Sequence, residues 1–276
     1  MGKIRRLFIG LIILLSFLGC DSDTNIVEDQ FTYPLSVGNR WDYRRDYIEY
    51  MFTNSSRADT LTTVSGSDSC SISVVQNIVL RDSIATVQLI GQDYVNGDTS
   101  VGLYFYQSRD TGLFEIAYQD PGLIVLPKPG GVGFLFTEPL MSQYFRKMIG
   151  LQIADLAKSA GANELYFEDP PVFVLKYPLE VGSQWIYRLE NHPWRIDKAV
   201  IGDTTVQVSA GTFDCYKIRL SYEFSATNVI IDDYIAKEGL IRREILFEGD
   251  ISDMYGTALY CEWHEDYILM NYDLIE

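Results

Sequence analysis

Tyr33-Pro34-Leu35-Ser36-Val37-Gly38-Asn39-Arg40-Trp41-Asp42-Tyr43-Arg44 occurs a second time, as Tyr177-Pro178-Leu179-Glu180-Val181-Gly182-Ser183-Gln184-Trp185-Ile186-Tyr187-Arg188. Eight of the twelve positions are identical, which predicts a duplicated structural module. In each copy the Pro opens an extended segment and the Gly makes a turn. Trp-x-Tyr then starts a strand with both aromatics on one face. Trp41 and Trp185 are therefore expected in equivalent places, each buried beneath its own module's sheet.

The segments after each copy read as short antiparallel strands. In the first half these are residues 41–52, 70–80, 84–94, 101–107 and 113–118, with Asn96-Gly97-Asp98 and Asp110-Thr111-Gly112 as turns. In the second half they are 196–201, 204–209, 212–224, 229–236, 240–247, 257–263 and 267–272. Gly202-Asp203 and Ala210-Gly211 read as turns between them. The expected fold is mainly β: two related antiparallel modules, residues 31–119 and 172–276.

Residues 120–171 read as a connector and one helix. Asp120 to Pro139 holds four Pro and four Gly among apolar residues that include Leu126, Phe134 and Phe136. Thr137 is a suitable N-cap. Met141, Phe145, Ile149, Ile153 and Leu156 then form one apolar stripe of an amphipathic helix, which Gly161 stops. So many apolar side chains on irregular backbone need cover. They either fill the junction between modules and helix or form a contact for a ligand or partner, with Leu126, Phe134 and Phe136 as candidate contact residues.

The first nineteen residues read as an address. Lys3, Arg5 and Arg6 precede an apolar run from Leu7 to Leu18. At roughly 1.5 Å per helical residue the run falls short of a ~30 Å hydrocarbon core, so it reads as a signal peptide. Its end, Phe17-Leu18-Gly19-Cys20, resembles the lipobox of bacterial lipoproteins through Gly19 and Cys20. The resemblance implies removal of residues 1–19, lipidation of Cys20 and a membrane anchor. An ordinary secretory signal and an uncleaved anchor are the alternatives. Residues 20–30 are then the lipidated Cys and a polar, flexible tether. The repeated phrase itself is similar to one in uncharacterised bacterial envelope lipoproteins. So are Val208-Ser209-Ala210-Gly211-Thr212-Phe213-Asp214 and Gly239-Leu240-Ile241-Arg242-Arg243-Glu244. That resemblance implies an extracytoplasmic place in the cell envelope, at the inner or outer membrane. It implies no activity.

The formal net charge is −16, and loss of residues 1–19 with their three basic side chains takes it to −19. So acidic a chain is a poor fit to nucleic acid, which needs basic patches.

The candidates for chemistry are thin. Asp110-Thr111-Gly112 matches the core of the aspartic-protease signature, but Asp203-Thr204-Thr205 lacks the second Gly, so both read as turns. Cys261-x-x-His264 has the spacing of half a zinc site. In an oxidising compartment a disulfide is the simpler use of Cys, and Cys215–Cys261 is the expected pair, with Cys70 a buried free thiol. Asp93, Asn96 and Asp98 lack the remaining EF-hand positions and read as a turn. Gly130-Gly131-Val132-Gly133 lacks the Lys-Ser/Thr of a phosphate loop. No catalytic residue, metal or cofactor is assigned. The expected role is non-enzymatic: a membrane-anchored envelope protein that binds or supports another envelope component. The alternatives are a carrier for an apolar ligand and, with less support, a hydrolase.

Overall fold

The computed structural model describes residues 31–95, 98–119, 165–188, 196–222, 227–252 and 258–275. The signal sequence, Cys20, the tether, Leu126, Phe134, Phe136 and the expected helix lie outside them. Twelve strands follow in chain order: β1 (Arg40–Phe52), β2 (Thr60–Leu80), β3 (Ile84–Val95), β4 (Asp98–Arg109), β5 (Gly112–Gln119) and β6 (Tyr166–Lys176). The second six are β7 (Gln184–Arg188), β8 (Ile196–Val208), β9 (Gly211–Tyr222), β10 (Thr227–Ala236), β11 (Gly239–Ser252) and β12 (Ala258–Asp273). No helix occurs among the described residues.

All twelve belong to one antiparallel sheet, in the order β6-β5-β4-β3-β2-β1-β12-β11-β10-β9-β8-β7. Each half is a plain meander. The halves join because β1 pairs on one side with β2 and on the other with β12, from Arg40↔Asp273 to Phe52↔Tyr260. The sheet curls into a nearly closed barrel, with β6 and β7 as its two edges. A double Pro at 170–171 suits the β6 edge, because proline cannot donate to a ladder.

The two copies of the repeated phrase fold alike. Gly38 N donates to Val74 O and Gly182 N to Val200 O, both at 2.8 Å. Asn39 N bonds back to Ser36 O as Ser183 N does to Glu180 O. Gly38 and Gly182 take positive φ, 102° and 92°, which glycine adopts without a Cβ clash. Trp41 and Trp185 are both buried, yet in one shared apolar cluster and not beneath two separate sheets. The reason is the β1–β12 ladder, which merges the halves around a common interior.

Two expected breaks are absent. Gly202-Asp203 is no turn: β8 runs through it, with the register slipping between Val200 and Gly202 as in a bulge. β12 likewise runs unbroken through His264-Glu265-Asp266. Asp266 is held there by Arg242 on the outer face, and Glu265 faces Arg45 inside.

The outer face is charged. β1 presents Asp42, Arg44 and Asp46, and β9–β11 carry Arg219, Asp232, Arg242 and Glu244. A lipid-spanning barrel presents an apolar band there. No helix among the described residues is long and apolar enough to cross a membrane.

Candidate functional site

Alternation along the strands places charged side chains inside the barrel at a common level. On β1 the inward residues run Tyr43, Arg45, Tyr47, Glu49, Met51. On β8 they run Val200, Lys198, Ile196; on β10, Ile235, Asp233, Ile231; on β11, Ile241, Arg243, Ile245. On these four strands the residue on one side of the charge belongs to one apolar cluster. A residue on the other side belongs to a second. Arg45, Lys198, Asp233 and Arg243, with Glu115 on β5, form a polar belt between two apolar layers; all are buried except Arg243, which is half-buried.

Burial of charge is costly unless each group is paired. Arg45 donates from Nε to Asp68 Oδ1 at 2.7 Å and also pairs with Asp68 Oδ2; Glu265 stands 3.7 Å away. Burial works against its charge. The Tyr267 hydroxyl and the carboxylates of Asp68 and Glu265 outweigh that and raise the guanidinium above its ordinary range. Arg243 makes a two-pronged pair with Asp233, at 2.5 and 2.8 Å. Burial opposes that charge too, and Asp233 overcomes it. Lys198 Nζ donates to Val174 O at 3.1 Å and lies 4.3 Å from the centre of the Tyr187 ring. Tyr106 donates to Glu115 at 2.9 Å; burial and that carboxylate push its hydroxyl well up. Tyr106↔Glu115 and Asp233↔Arg243 are register partners at matching places in the two halves.

A small cavity of about 90 Å³ opens at this belt. Its apolar walls include Leu35, Ile72, Leu89, Val174, Leu175 and Leu240. Lys198, Asp233, Arg243 and the tyrosines 33, 104, 106 and 187 supply the polar lining. Such a lining suits a small molecule with an apolar body and a polar end. Tyr33 and Leu35 come from the segment that leads into β1. That segment is held by Tyr33 N, which donates to Tyr177 Oη at 2.9 Å, and by edge-on contacts of Phe31 with Tyr177 and Tyr216. Burial pushes the Tyr33 hydroxyl up to about 12, against a hydrogen bond from the Leu240 backbone, so it stays neutral.

Between the cavity and the solvent beyond lies the seam of β6 and β7. Among the described residues eleven ladders connect the twelve strands, and none connects these two. Side chains bridge the gap. Trp185 Nε1 donates to Phe173 O at 2.9 Å, and Lys198 reaches over β7 to Val174 O. The Phe173 and Trp185 rings lie 6.5 Å apart.

The residues singled out in the sequence fall elsewhere. The disulfide expected between Cys215 and Cys261 is not formed: both are free thiols, as is Cys70, which is half-buried and not buried as expected. Cys215 is on β9 and Cys261 on β12, with β10 and β11 between them. At about 4.8 Å per strand the separation is on the order of 14 Å, beyond the reach of a disulfide. Cys261 faces the interior and His264, three residues on, faces outward beside Asp46 and Ile48, so they cannot share a metal. Asp110-Thr111-Gly112 forms the β4–β5 turn, with Thr111 O accepting from Tyr177 N. Asp93 and Asp98 flank the β3–β4 hairpin, whose residue Asn96 is outside the described set. No group of three or more metal-ligating side chains occurs among the described residues. The polar belt was missed in the sequence. Its signal was there, as single charges inside runs of alternating apolar residues, such as Ile231-Asp232-Asp233-Tyr234-Ile235.

No protein-family model matches the chain. No curated protein matches it either. Among solved structures it is similar to a Bacteroides fragilis NCTC 9343 protein described as a "putative exported protein with YmcC-like fold". That match has a TM-score of 0.40 and 12% identity, covering 88% of this chain and 99% of the other.

Proposed function

We propose that this chain is a lipid-anchored protein of the bacterial envelope with a non-enzymatic binding role, and that its ligand, an apolar or amphipathic small molecule, sits in the barrel. The observation that carries the reading is the cavity at the polar belt, with apolar walls among which tyrosine, lysine, aspartate and arginine side chains are set. The charged outer face supports a barrel that stands in water, tethered to a membrane and not embedded in it. The basic start, short apolar run and Gly19-Cys20 support the anchor. Export, the anchor and the tether of residues 20–30 all belong to this proposal. So do Leu126, Phe134 and Phe136 as contact residues in the connector, and the relation of the two β modules.

Two measurements test it. Mass spectrometry of the mature protein is expected to find a diacylglyceryl-modified Cys20 at the N-terminus; any other start removes the anchor. Native mass spectrometry of protein purified from a bacterial envelope is expected to show a bound small molecule. Leu89→Trp, which fills the cavity wall, is expected to lose it. Retention of the molecule in a folded Leu89→Trp protein would place the ligand elsewhere.

A further inference from the structure

The two halves differ on their outer faces. Beside the matched pairs Tyr106↔Glu115 and Asp233↔Arg243, the first half carries an outward row of Phe105, Ala117 and Phe167 on β4, β5 and β6. The second half carries Asp232, Glu244 and Asp266 at the same places on β10, β11 and β12, and β1 extends that row with Asp46. In the first half the β2–β3 tip reaches over the row. Leu80 joins Phe105, Ile116 and Ala117 in one apolar cluster, and the Arg81 guanidinium lies 3.7 Å from the centre of the Phe167 ring. The corresponding β8–β9 tip of the second half turns the other way. Val206 and Phe213 join the interior cluster, and Ala210 N donates to Leu269 O at 3.4 Å. The outer face of the second half is left open as a groove of about 570 Å³, within the usual size range of binding pockets.

The floor of this groove is ordered in rows across the strands. One row holds three aliphatic side chains, Ile48, Leu246 and Ile230, with the exposed His264 between the first two. The row of Asp46, Asp266, Glu244 and Asp232 runs along one side of it, and Glu262 and Glu248 stand on the other. Like charges directly opposite one another weaken a sheet. Such pairs recur here: Asp46↔Asp266, Asp266↔Glu244, Glu244↔Asp232 and Glu262↔Glu248. The fold does not demand them, because Phe105, Ala117 and Phe167 serve at the matching places. Arg44 and Arg242 relieve them from the next row, Arg219 from β9 and Arg57 from the β1–β2 turn. No lysine or arginine stands in the aliphatic row itself.

We propose that this groove binds a basic segment of a partner protein. Aliphatic side chains of the segment lie on Ile48, Leu246 and Ile230, and its lysine or arginine side chains meet the carboxylates on either side. Leu80 and Arg81, an aliphatic beside a cation, are an occupant of the same kind on the matching face of the first half. The site is outside the barrel and does not depend on the cavity.

The test uses the mature full-length protein and a fluorescein-labelled peptide, Lys-Leu-Lys-Leu-Lys, with binding read by anisotropy. Binding is expected, and it is expected to weaken as salt is raised, because salt screens exposed charges. Glu244→Gln with Glu262→Gln removes one carboxylate from each side, and Leu246→Ser removes the middle of the aliphatic row. Each change is expected to raise Kd by about five-fold or more. Asp42→Asn, elsewhere on the outer face of β1, is expected to leave Kd unchanged. In the unaltered protein the bound peptide is expected to shield His264 from diethyl pyrocarbonate. The proposal is overturned by no binding at about 1 mM peptide, a concentration that would miss only negligible affinity. Equal binding of Lys-Ser-Lys-Ser-Lys overturns it too, as does an unchanged Kd in both groove variants. Where a variant does not fold, the labelling of His264 in the unaltered protein decides: equal reaction with and without peptide places the peptide elsewhere.

Discussion

The indole Nε1 of Trp41 donates to the carbonyl of Glu238 at 2.6 Å, across 197 residues of sequence. It fastens the first strand of one half to the β10–β11 turn of the other. The turn is shaped for it. Gly239 has φ +112°, and a Cβ there would lie 2.9 Å from Trp41 Nε1. Trp41→Ala is expected to cost about 3–5 kcal/mol in urea unfolding, the range for buried aromatics. Trp41→Phe keeps most of the packing and leaves the carbonyl without its donor, at about 1–3 kcal/mol. Gly239→Ala is expected to destabilise through both the contact and the backbone. An unchanged midpoint in Gly239→Ala would show that the turn relaxes freely.

Arg45 holds two acidic partners inside the barrel, Asp68 and Glu265. Arg45→Met leaves both without their guanidinium in a buried setting. The expected loss is about 3–5 kcal/mol at pH 7. Urea unfolding at pH 7 checks it; a loss below about 1 kcal/mol would mean that the two carboxylates do not depend on Arg45.

Glu49 is 3% exposed, and its Oε1 has no hydrogen-bond partner. Burial raises its carboxyl from 4.5 to about 7. The sign follows from proton counts. Between those values the unfolded chain has released the proton and the folded chain still holds it. Stability is therefore fully present below about pH 4.5 and falls as pH rises to about 7, by about 3 kcal/mol at about 1.4 kcal/mol per pH unit. Glu49→Gln is expected to remove this part of the pH dependence and to be the more stable protein at pH 8. The same slope in both proteins would clear Glu49 of the effect.

Cys215 and Cys261 are buried thiols. Burial pushes Cys215 up to about 12 and Cys261 further, the latter also through the nearby Glu49 carboxylate. Thiolates are the reactive form, so both are expected to resist a maleimide at pH 8 in the folded protein and to react fully in urea. Labelling followed by peptide mapping reads this out. Rapid labelling of Cys261 in the folded state would mean that β12 opens at its N-terminal end.

Much of the β architecture was legible in local sequence. Turn chemistry marked the β3–β4 and β4–β5 hairpins, and a content rich in Val, Ile and Leu marked strands such as 84–94. What local pattern could not carry was the joining of the ends. Nothing in residues 40–52 indicates pairing with residues 260–273, because ladder bonds are made by the backbone, which is the same everywhere. The breaks expected at Gly202-Asp203 and at 264–266 failed for a related reason. A glycine and a charge cluster suggest a turn only until a bulge or an ion pair from a distant strand accommodates them. The same blindness hid the site. Lys198, Asp233 and Arg243 look like solvated charges until barrel closure turns one face of each strand inward.

The β1–β12 ladder has a further consequence, for the order of events when the chain folds. β1 is the first described strand to leave a ribosome or a translocation channel, and its outer partner is the last. β1 can pair with β2 at once, but its other edge must wait for residues 258–273. Closing so long a loop is slow, and during the wait two strand edges stand open to neighbouring chains. A chain stopped before β12 would keep eleven strands and lose the ladders on both sides of the missing one. Such a fragment would be sticky rather than merely weak, which makes the last sixteen-residue strand the step that turns a vulnerable chain into a finished barrel.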